Sequence, residues 1–280
     1  MMSINCNSRL ISLDVPLVMG IINTTPDSFY ASSRHSVEAE ILNTAEKMLN
    51  DGAAFLDVGG QSTRPGASRL PAEEELERVL PAVESIHKRF PEALISIDTF
   101  YASVAEATIN AGACLVNDVS AGTIDVALLP MVAKLGVPYV LMHMQGNPQT
   151  MQSAPAYTNV VLEVFDALNF KLKALGDAGI TDVIIDPGFG FGKTAAQNFQ
   201  LLSQLEWFKQ LGKPVMIGLS RKGTIYKTLG VTAEQALNGT TVLNTVALFH
   251  GANILRVHDV KEAVEAVKLV QQLGTTFPIS

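Results

Sequence analysis

A short β-branched run, Val183-Ile-Ile-Asp186, stops on a carboxylate and opens into Pro187-Gly-Phe-Gly-Phe-Gly-Lys-Thr194. A buried strand that ends on Asp186 and gives way to glycine-rich backbone is where a barrel or a doubly wound sheet keeps its chemistry. The glycines imitate a phosphate loop, but Gly-x4-Gly-Lys-Thr requires glycine at 187, where this chain has Pro187. Gly188, Gly190 and Gly192 alternate with Phe189 and Phe191, which predicts tightly turned backbone carrying an aromatic ring over a ligand.

Other apolar runs also end on polar residues: Asn23, Asp57, Asp98, Asn117 with Asp118, His143, Ser220 with Lys222, and Arg256 with His258. Taken singly, Asp57 and His143 read as caps or loop residues. A ring of such residues at one end of the strands reads as a barrel active site. Ser220 and Lys222 are two apart, as are Arg256 and His258, so each pair projects to one side if its strand continues that far. Arg256 and His258 suit an oxyanion, and the amide oxygen of Asn23 suits a hard cation such as Mg2+ that keeps most of its waters. Together they predict a phosphate or pyrophosphate site. Asp98, Asn117 and Asp186 suit a planar heterocycle with adjacent N–H donors, since a carboxylate meets an N–C–N donor pair with two parallel bonds. Met142 and Phe191 are placed to cover its faces.

The elements that must carry these residues alternate regularly. Strands are expected at 17–23, 55–58, 94–98, 114–117, 137–142, 183–186, 215–219 and 254–257. Helical spacing follows at 36–50, from 73 onward, and at 101–111, 124–135, 159–178, 198–211, 233–250 and 259–273. Asp51-Gly52 is expected to close the first helix, and Pro81 to kink or break the second. Eight strand-then-helix units without a linker predict an α/β protein, a single-domain (β/α)8 TIM barrel over 1–280 with a short N-terminal extension at 1–15. An open doubly wound sheet is the competing architecture. The long connections at 24–35 and 60–71 belong on the catalytic face.

In bulk, 280 residues, 48% of them apolar, suffice for a large core. A net charge of −7 with no basic tract argues against nucleic acid or an anionic membrane as partner. Two cysteines, Cys6 and Cys114, make no disulfide framework, and no signal peptide or membrane span is seen, which reads as a cytoplasmic protein.

Several segments resemble dihydropteroate synthase: Asn23-Thr-Thr-Pro-Asp-Ser-Phe29, Gly59-Gly-Gln-Ser-Thr-Arg-Pro-Gly66, Ser96-Ile-Asp-Thr99, Val116-Asn-Asp-Val-Ser120, Asp186 to Thr194, Ser220-Arg-Lys222 and Arg256-Val-His258. They occur in that family's order over nearly the whole chain. The resemblance implies a homodimeric barrel that joins 6-hydroxymethyl-7,8-dihydropterin pyrophosphate to p-aminobenzoate, giving 7,8-dihydropteroate and pyrophosphate in folate biosynthesis. It implies Asn23 on Mg2+, with Asp98, Asn117, Asp186 and Lys222 on the pterin. Thr63, Arg256 and His258 would contact the diphosphate. Thr25, Pro26, Phe29, Arg64, Pro65, Phe191 and Ser220 would shape the p-aminobenzoate pocket, which sulfonamides also enter. Lys222, Arg256, His258 and Asp98 are the candidate catalytic residues.

Two stretches depart from that family's pattern. Phe29 is followed by Tyr30-Ala-Ser-Ser-Arg34 where a small polar residue and Asp-Gly-Gly are usual, and Gln61 stands where Glu is usual, removing a charge near Arg64. The first departure supports an alternative, a catalytically silent pterin-binding relative with a regulatory or structural role. A methyltransferase barrel acting on methyltetrahydrofolate would keep the pterin carboxylates but has no use for the Asn23, Arg256 and His258 cluster. A sugar-phosphate barrel would have no use for Asp98, Asn117 and Asp186.

Overall fold

The computed structural model describes residues 2–24, 34–61, 69–146 and 156–276. The chain opens with an antiparallel hairpin, β1 (Ser3–Cys6) and β2 (Arg9–Ser12), which forms the short extension expected ahead of the barrel. Its turn residues Asn7 and Ser8 are both left-handed, at φ 51° and 62°, the twist that a two-residue hairpin needs.

Eight parallel strands follow: β3 (Leu17–Asn23), β4 (Phe55–Gly59), β5 (Leu94–Asp98), β6 (Leu115–Asp118), β7 (Tyr139–Met142), β8 (Val183–Asp186), β9 (Met216–Ile217) and β10 (Ile254–Val257). Their order is β8-β7-β6-β5-β4-β3-β10-β9. A parallel bridge between Ile185 and Val215 joins the two ends of the sheet, which decides for a barrel over an open sheet. Around it lie α1 (Arg34–Asn50), α2 (Ala72–Arg89), α3 (Ala102–Asn110), α4 (Leu128–Leu135), α5 (Val160–Asp177), α6 (Ala195–Ser203), α7 (Gly223–Leu229), α8 (Leu237–Phe249) and α9 (Val260–Thr276).

Each of these eight strands sends a side chain into one apolar cluster inside the barrel: Met19, Phe55, Leu94, Leu115, Val140, Ile184, Met216 and Ile254. The hairpin adds Ile4 and Cys6, and Leu13 follows it, so the N-terminal end of the barrel is plugged. Burying a side chain such as Ile4 contributes about 1.5–3 kcal/mol, which explains why an edge hairpin stays docked. Asn5 N–H also donates to Asp182 Oδ2 at 3.0 Å, just ahead of β8. Cys6 and Cys114 are buried thiols in this layer. Among the described residues no helix is long and apolar enough to cross a membrane.

Three local expectations change. Pro81 does not break α2, which runs on from Ala72 to Arg89. Pro81 is exposed, so water can take the carbonyl its missing N–H leaves behind, while Val79, Ala82, Val83 and Ile86 bind the helix to the barrel. The helix expected at 198–211 is two pieces. It starts early, on a Thr194–Gln197 capping box, and passes at Gln204 into a 3-10 segment, Leu205–Leu211. The spacing of buried Leu205 and Phe208 suits that segment's three-residue turn. The short helix α7 was not expected at all. Gly52, at φ 100°, ends α1 as the sequence predicts.

Candidate active site at the carboxyl end of the barrel

The loop after Asp186 has the tight form its glycines predict. Gly188, Gly190 and Gly192 have φ of 73°, 82° and 65°. A side chain at 188 would bring Cβ to 1.8 Å from the His143 carbonyl oxygen, and one at 192 to 2.6 Å from that of Gln145. Glycine is therefore demanded twice over, by backbone conformation and by close packing on the segment after β7. Gly188 N–H donates to Asp186 Oδ1 at 2.7 Å. Phe189 goes into the core between barrel and helices, whereas Phe191 joins Phe100, Val119 and Met142 in a small apolar cluster. Lys222 Nζ lies 4.5 Å from the centre of the Phe191 ring and donates to Phe189 O at 2.6 Å.

Parallel register sets the height of the other groups. Asn23 pairs with Gly59, Gly59 with Asp98, and Asp98 with Asn117, so these strand ends share one level. Met142 pairs with Asp186 on the far side. Asp57 sits one layer deeper, fully buried, and is the hub of the site. Its Oδ2 accepts from Arg256 Nε at 2.6 Å and from Asn117 Nδ2 at 3.0 Å, and among the described residues its Oδ1 has no hydrogen-bond partner. Arg256 also donates from Nη2 to Asp98 Oδ2 at 2.6 Å. One guanidinium thus bridges two carboxylates across the mouth.

Burial pushes Asp98 above the usual carboxylate range, with Arg256 pulling back and Asp57 adding to the rise. Burial likewise raises Asp186, opposed by Lys222. Burial lowers Lys222 to about 8, with Asp186 holding it up against Arg256. Asp118, grouped with Asn117 by sequence, has a different task. Its carboxylate accepts from Ser120 N, Gly122 N and Tyr139 Oη, which fixes the turn after β6.

The two residue pairs would project together only if their strands continued past them, and neither strand does. β9 ends at Ile217, and Arg221 is left-handed at φ 54°, a conformation that costs an ordinary residue about 1–3 kcal/mol. Its guanidinium forks onto Asp259 at 2.8 Å on both arms, and its N–H donates to Thr240 Oγ1, which holds the kink. Ser220 is thereby turned to His258 Nδ1, 3.0 Å away, while Lys222 is turned to the glycine loop. β10 ends at Val257, leaving Arg256 inward and His258 exposed at the rim. The packing of its inner edge, then the Arg256 charge, lowers the His258 pKa, so a neutral ring can accept from Ser220 and present Nε2–H outward.

Gln61 does more than remove a charge. Its amide exchanges two 3.1 Å bonds with the Leu70 backbone and donates to buried Glu75, locking the positions on either side of 62–68. Thr63, Arg64 and Pro65 lie outside the described residues, as do Thr25, Pro26, Phe29 and residues 30–33 of the altered first loop; for Arg34 only the backbone is described. Asp57, named in the ring of strand ends but read singly as a cap or loop residue, and Lys193, at the end of the glycine loop, were given no role from the sequence. A carboxylate mid-strand in an otherwise apolar run was the available signal for Asp57.

The fold and this ring define a ligand-binding (β/α)8 barrel with its chemistry at the carboxyl ends of the strands. Residues 19–258 match the family described as pterin binding enzyme. The dihydropteroate synthase of Escherichia coli K12 is 43% identical over 264 residues, 93% of each chain. The crystal structure of the Yersinia pestis dihydropteroate synthase with a sulfonamide drug complex superposes with a TM-score of 0.92 at 39% identity, covering 98% of this chain and all of that one. The Xanthomonas albilineans enzyme with 4-aminobenzoic acid gives 0.90 at 42% identity, over 97% of both chains. The chain therefore belongs to the pterin-binding enzymes and, within them, to the dihydropteroate synthases.

Proposed function

We propose that the dihydropteroate synthase reaction runs at this mouth, with Asp98, Asn117, Asp186 and Lys222 on the pterin and Arg256, His258 and Thr63 on the diphosphate. The observation that carries this reading is the set of carboxylates, Asp57 and Asp186 buried and Asp98 partly so, around Arg256 and Lys222, beside the apolar faces of Met142 and Phe191. A carboxylate fits the adjacent N–H donors of the 2-amino-4-oxo ring, and an ammonium fits its carbonyl and ring-nitrogen acceptors. Ser220, Phe191, Arg64, Pro65, Thr25, Pro26 and Phe29 would form the p-aminobenzoate pocket.

In the reaction the bond from the pterin CH2 to the diphosphate oxygen breaks, and its electron pair leaves with pyrophosphate. The amine of p-aminobenzoate supplies the lone pair for the new C–N bond and then loses a proton. Asp98 and Asp186 stabilise positive charge developing on the ring, and Arg256 and His258 the departing anion. An aniline amine is already unprotonated at neutral pH, so no dedicated strong base is needed and the relative placement of the two reactants matters most. His258 Nε2–H would serve the diphosphate as a donor.

Asn23 would hold Mg2+. Its side chain is exposed at the end of β3, and among the described residues no group of three or more acidic, histidine or cysteine side chains could cage a metal. One amide oxygen suits an ion that is held mainly by water and substrate phosphates. Bound there, Mg2+ would spread the negative charge of the diphosphate. The reading extends to a cytoplasmic homodimer. Phe199 on α6, Leu229 on α7, and Val242 and Phe249 on α8 are exposed apolar groups on neighbouring helices that a second copy would cover. The silent-relative alternative is not favoured, since the relatives are dihydropteroate synthases and Asp57, Asp98, Lys222 and Arg256 stand together at the mouth.

Separate substitutions test the two halves. Lys222→Ala is expected to raise KM for the dihydropterin pyrophosphate roughly tenfold or more, the loss of a charge-assisted bond. In the native protein kcat/KM should fall as pH rises through about 8, where the Lys222 ammonium loses its proton. Arg256→Lys keeps a charge beside Asp57 and Asp98 but loses the fork, and is expected to lower kcat with little change in that KM. Unchanged kinetics in both variants would contradict the assignment.

A further inference from the structure

The reaction just described leaves Lys193 without a task, although its side chain is almost completely enclosed, with 2% of its surface exposed. Its Nζ lies 2.9 Å from Gly188 O, 3.1 Å from Phe191 O and 3.0 Å from His143 Nδ1, with His143 O at 3.4 Å. An ammonium has three N–H bonds and no acceptor, so it can serve two carbonyls and a ring nitrogen that offers its lone pair. Burial lowers His143 to about 3, which keeps that ring neutral. Burial also lowers Lys193, to about 7, with Asp186 pulling it back up.

The three carbonyl oxygens converge because Gly188 and Gly192 are pressed onto the segment after β7. Converging carbonyl dipoles repel one another in a dry setting unless a cation or donor lies between them. On its other side the same loop offers the Phe189 carbonyl to Lys222, and the Phe191 ring lies under that ammonium. Two lysines therefore divide the carbonyls of one loop, one from behind and one from the mouth.

We propose that Lys193 is a positioning residue, whose ammonium gathers the Gly188, Phe191 and His143 acceptors and thereby sets the Phe191 ring and the Phe189 carbonyl that place Lys222. This rests on the reading of Lys222 and Phe191 as substrate residues. Lys193 touches no reacting atom in it. Loss of the ammonium should loosen residues 188–192 and let Lys222 wander, while the barrel floor, an apolar cluster built from other side chains, stays as it is.

The test uses Lys193→Met and Lys193→Ala in the full chain. In Lys193→Met, amide exchange without substrate should quicken at Gly188 to Gly192 and not at Phe55 or Ile184, and KM for the dihydropterin pyrophosphate should rise about tenfold, the effect of one lost charged hydrogen bond. Methylammonium should restore Lys193→Ala toward the native KM, and tetramethylammonium, which has no N–H, should not. A Lys193→Met protein with native exchange and native KM would overturn the proposal. So would exchange that quickens throughout the barrel, or a Lys193→Ala protein, folded or not, that methylammonium fails to restore. Since exchange is read without substrate, a native chain that released no pyrophosphate would refute the reaction above and leave this test intact.

Discussion

Asp57→Ala is expected to lower kcat/KM for the dihydropterin pyrophosphate by roughly a hundredfold or more. Asp57 touches no substrate in the proposed arrangement. It holds Arg256 through Nε and Asn117 through Nδ2, while Asp98 holds the other arm of the same guanidinium. Without Asp57 the guanidinium is left with Asp98 alone, which would draw that carboxylate away from the pterin. Asn117 would lose the acceptor that orients its amide. Removing one member of a buried ion pair typically costs about 3–5 kcal/mol, and about 2.7 kcal/mol is already a hundredfold in rate. Asp57→Asn, which retains an acceptor for Asn117 but loses the charge, should fall between the two. Steady-state pyrophosphate release, paired with a thermal melt to confirm folding, measures this. A loss below about tenfold in a folded Asp57→Ala protein would mean that Arg256 is placed by other means.

Asp186→Ala should have an effect of similar size, divided between affinity and pH dependence. One carboxylate oxygen is tied to Gly188 N–H, so the group is oriented before any ligand arrives. Its removal takes away a directional charged acceptor, worth about 1.5–3 kcal/mol, or roughly tenfold to a hundredfold in pterin affinity. It also removes the main negative charge supporting Lys222. Burial already lowers Lys222 to about 8, against the pull of Asp186. With that pull gone the pKa falls further, so the alkaline decline in kcat/KM should move to lower pH. Calorimetric titration with the dihydropterin pyrophosphate and a pH–rate profile check the two parts. A decline that stayed in place or moved to higher pH would contradict the coupling.

The barrel was legible because its strands are short β-branched runs separated by helical spacing, and parallel strands buried on both faces leave that signature. Closure was not, since it depends on the Ile185–Val215 seam, and periodicity carries no information about a sheet's edges. The N-terminal hairpin escaped notice because Asn7-Ser8 is a less usual turn pair than Asn-Gly, and its two strands are only four residues each. In the site, residue types at strand ends singled out Asp98, Asn117, Asp186, Lys222 and Arg256, which the fold brings to one mouth, but spacing alone did not show how far β9 and β10 continue. Arg256 turns to Asp57 and Asp98, and the left-handed Arg221 separates Ser220 from Lys222. Asp57 and Lys193 were in view but without a role, because each acts through another side chain, and that partnership exists only once distant strands meet.

The central claim is tested most directly by pyrophosphate release from the dihydropterin pyrophosphate with Mg2+, measured with and without p-aminobenzoate. Release that rises with p-aminobenzoate, requires Mg2+ and is inhibited by a sulfonamide is the predicted result. Tight binding of the pterin pyrophosphate with no release under any of these conditions would contradict the account and place the defect in the altered first loop at 30–34.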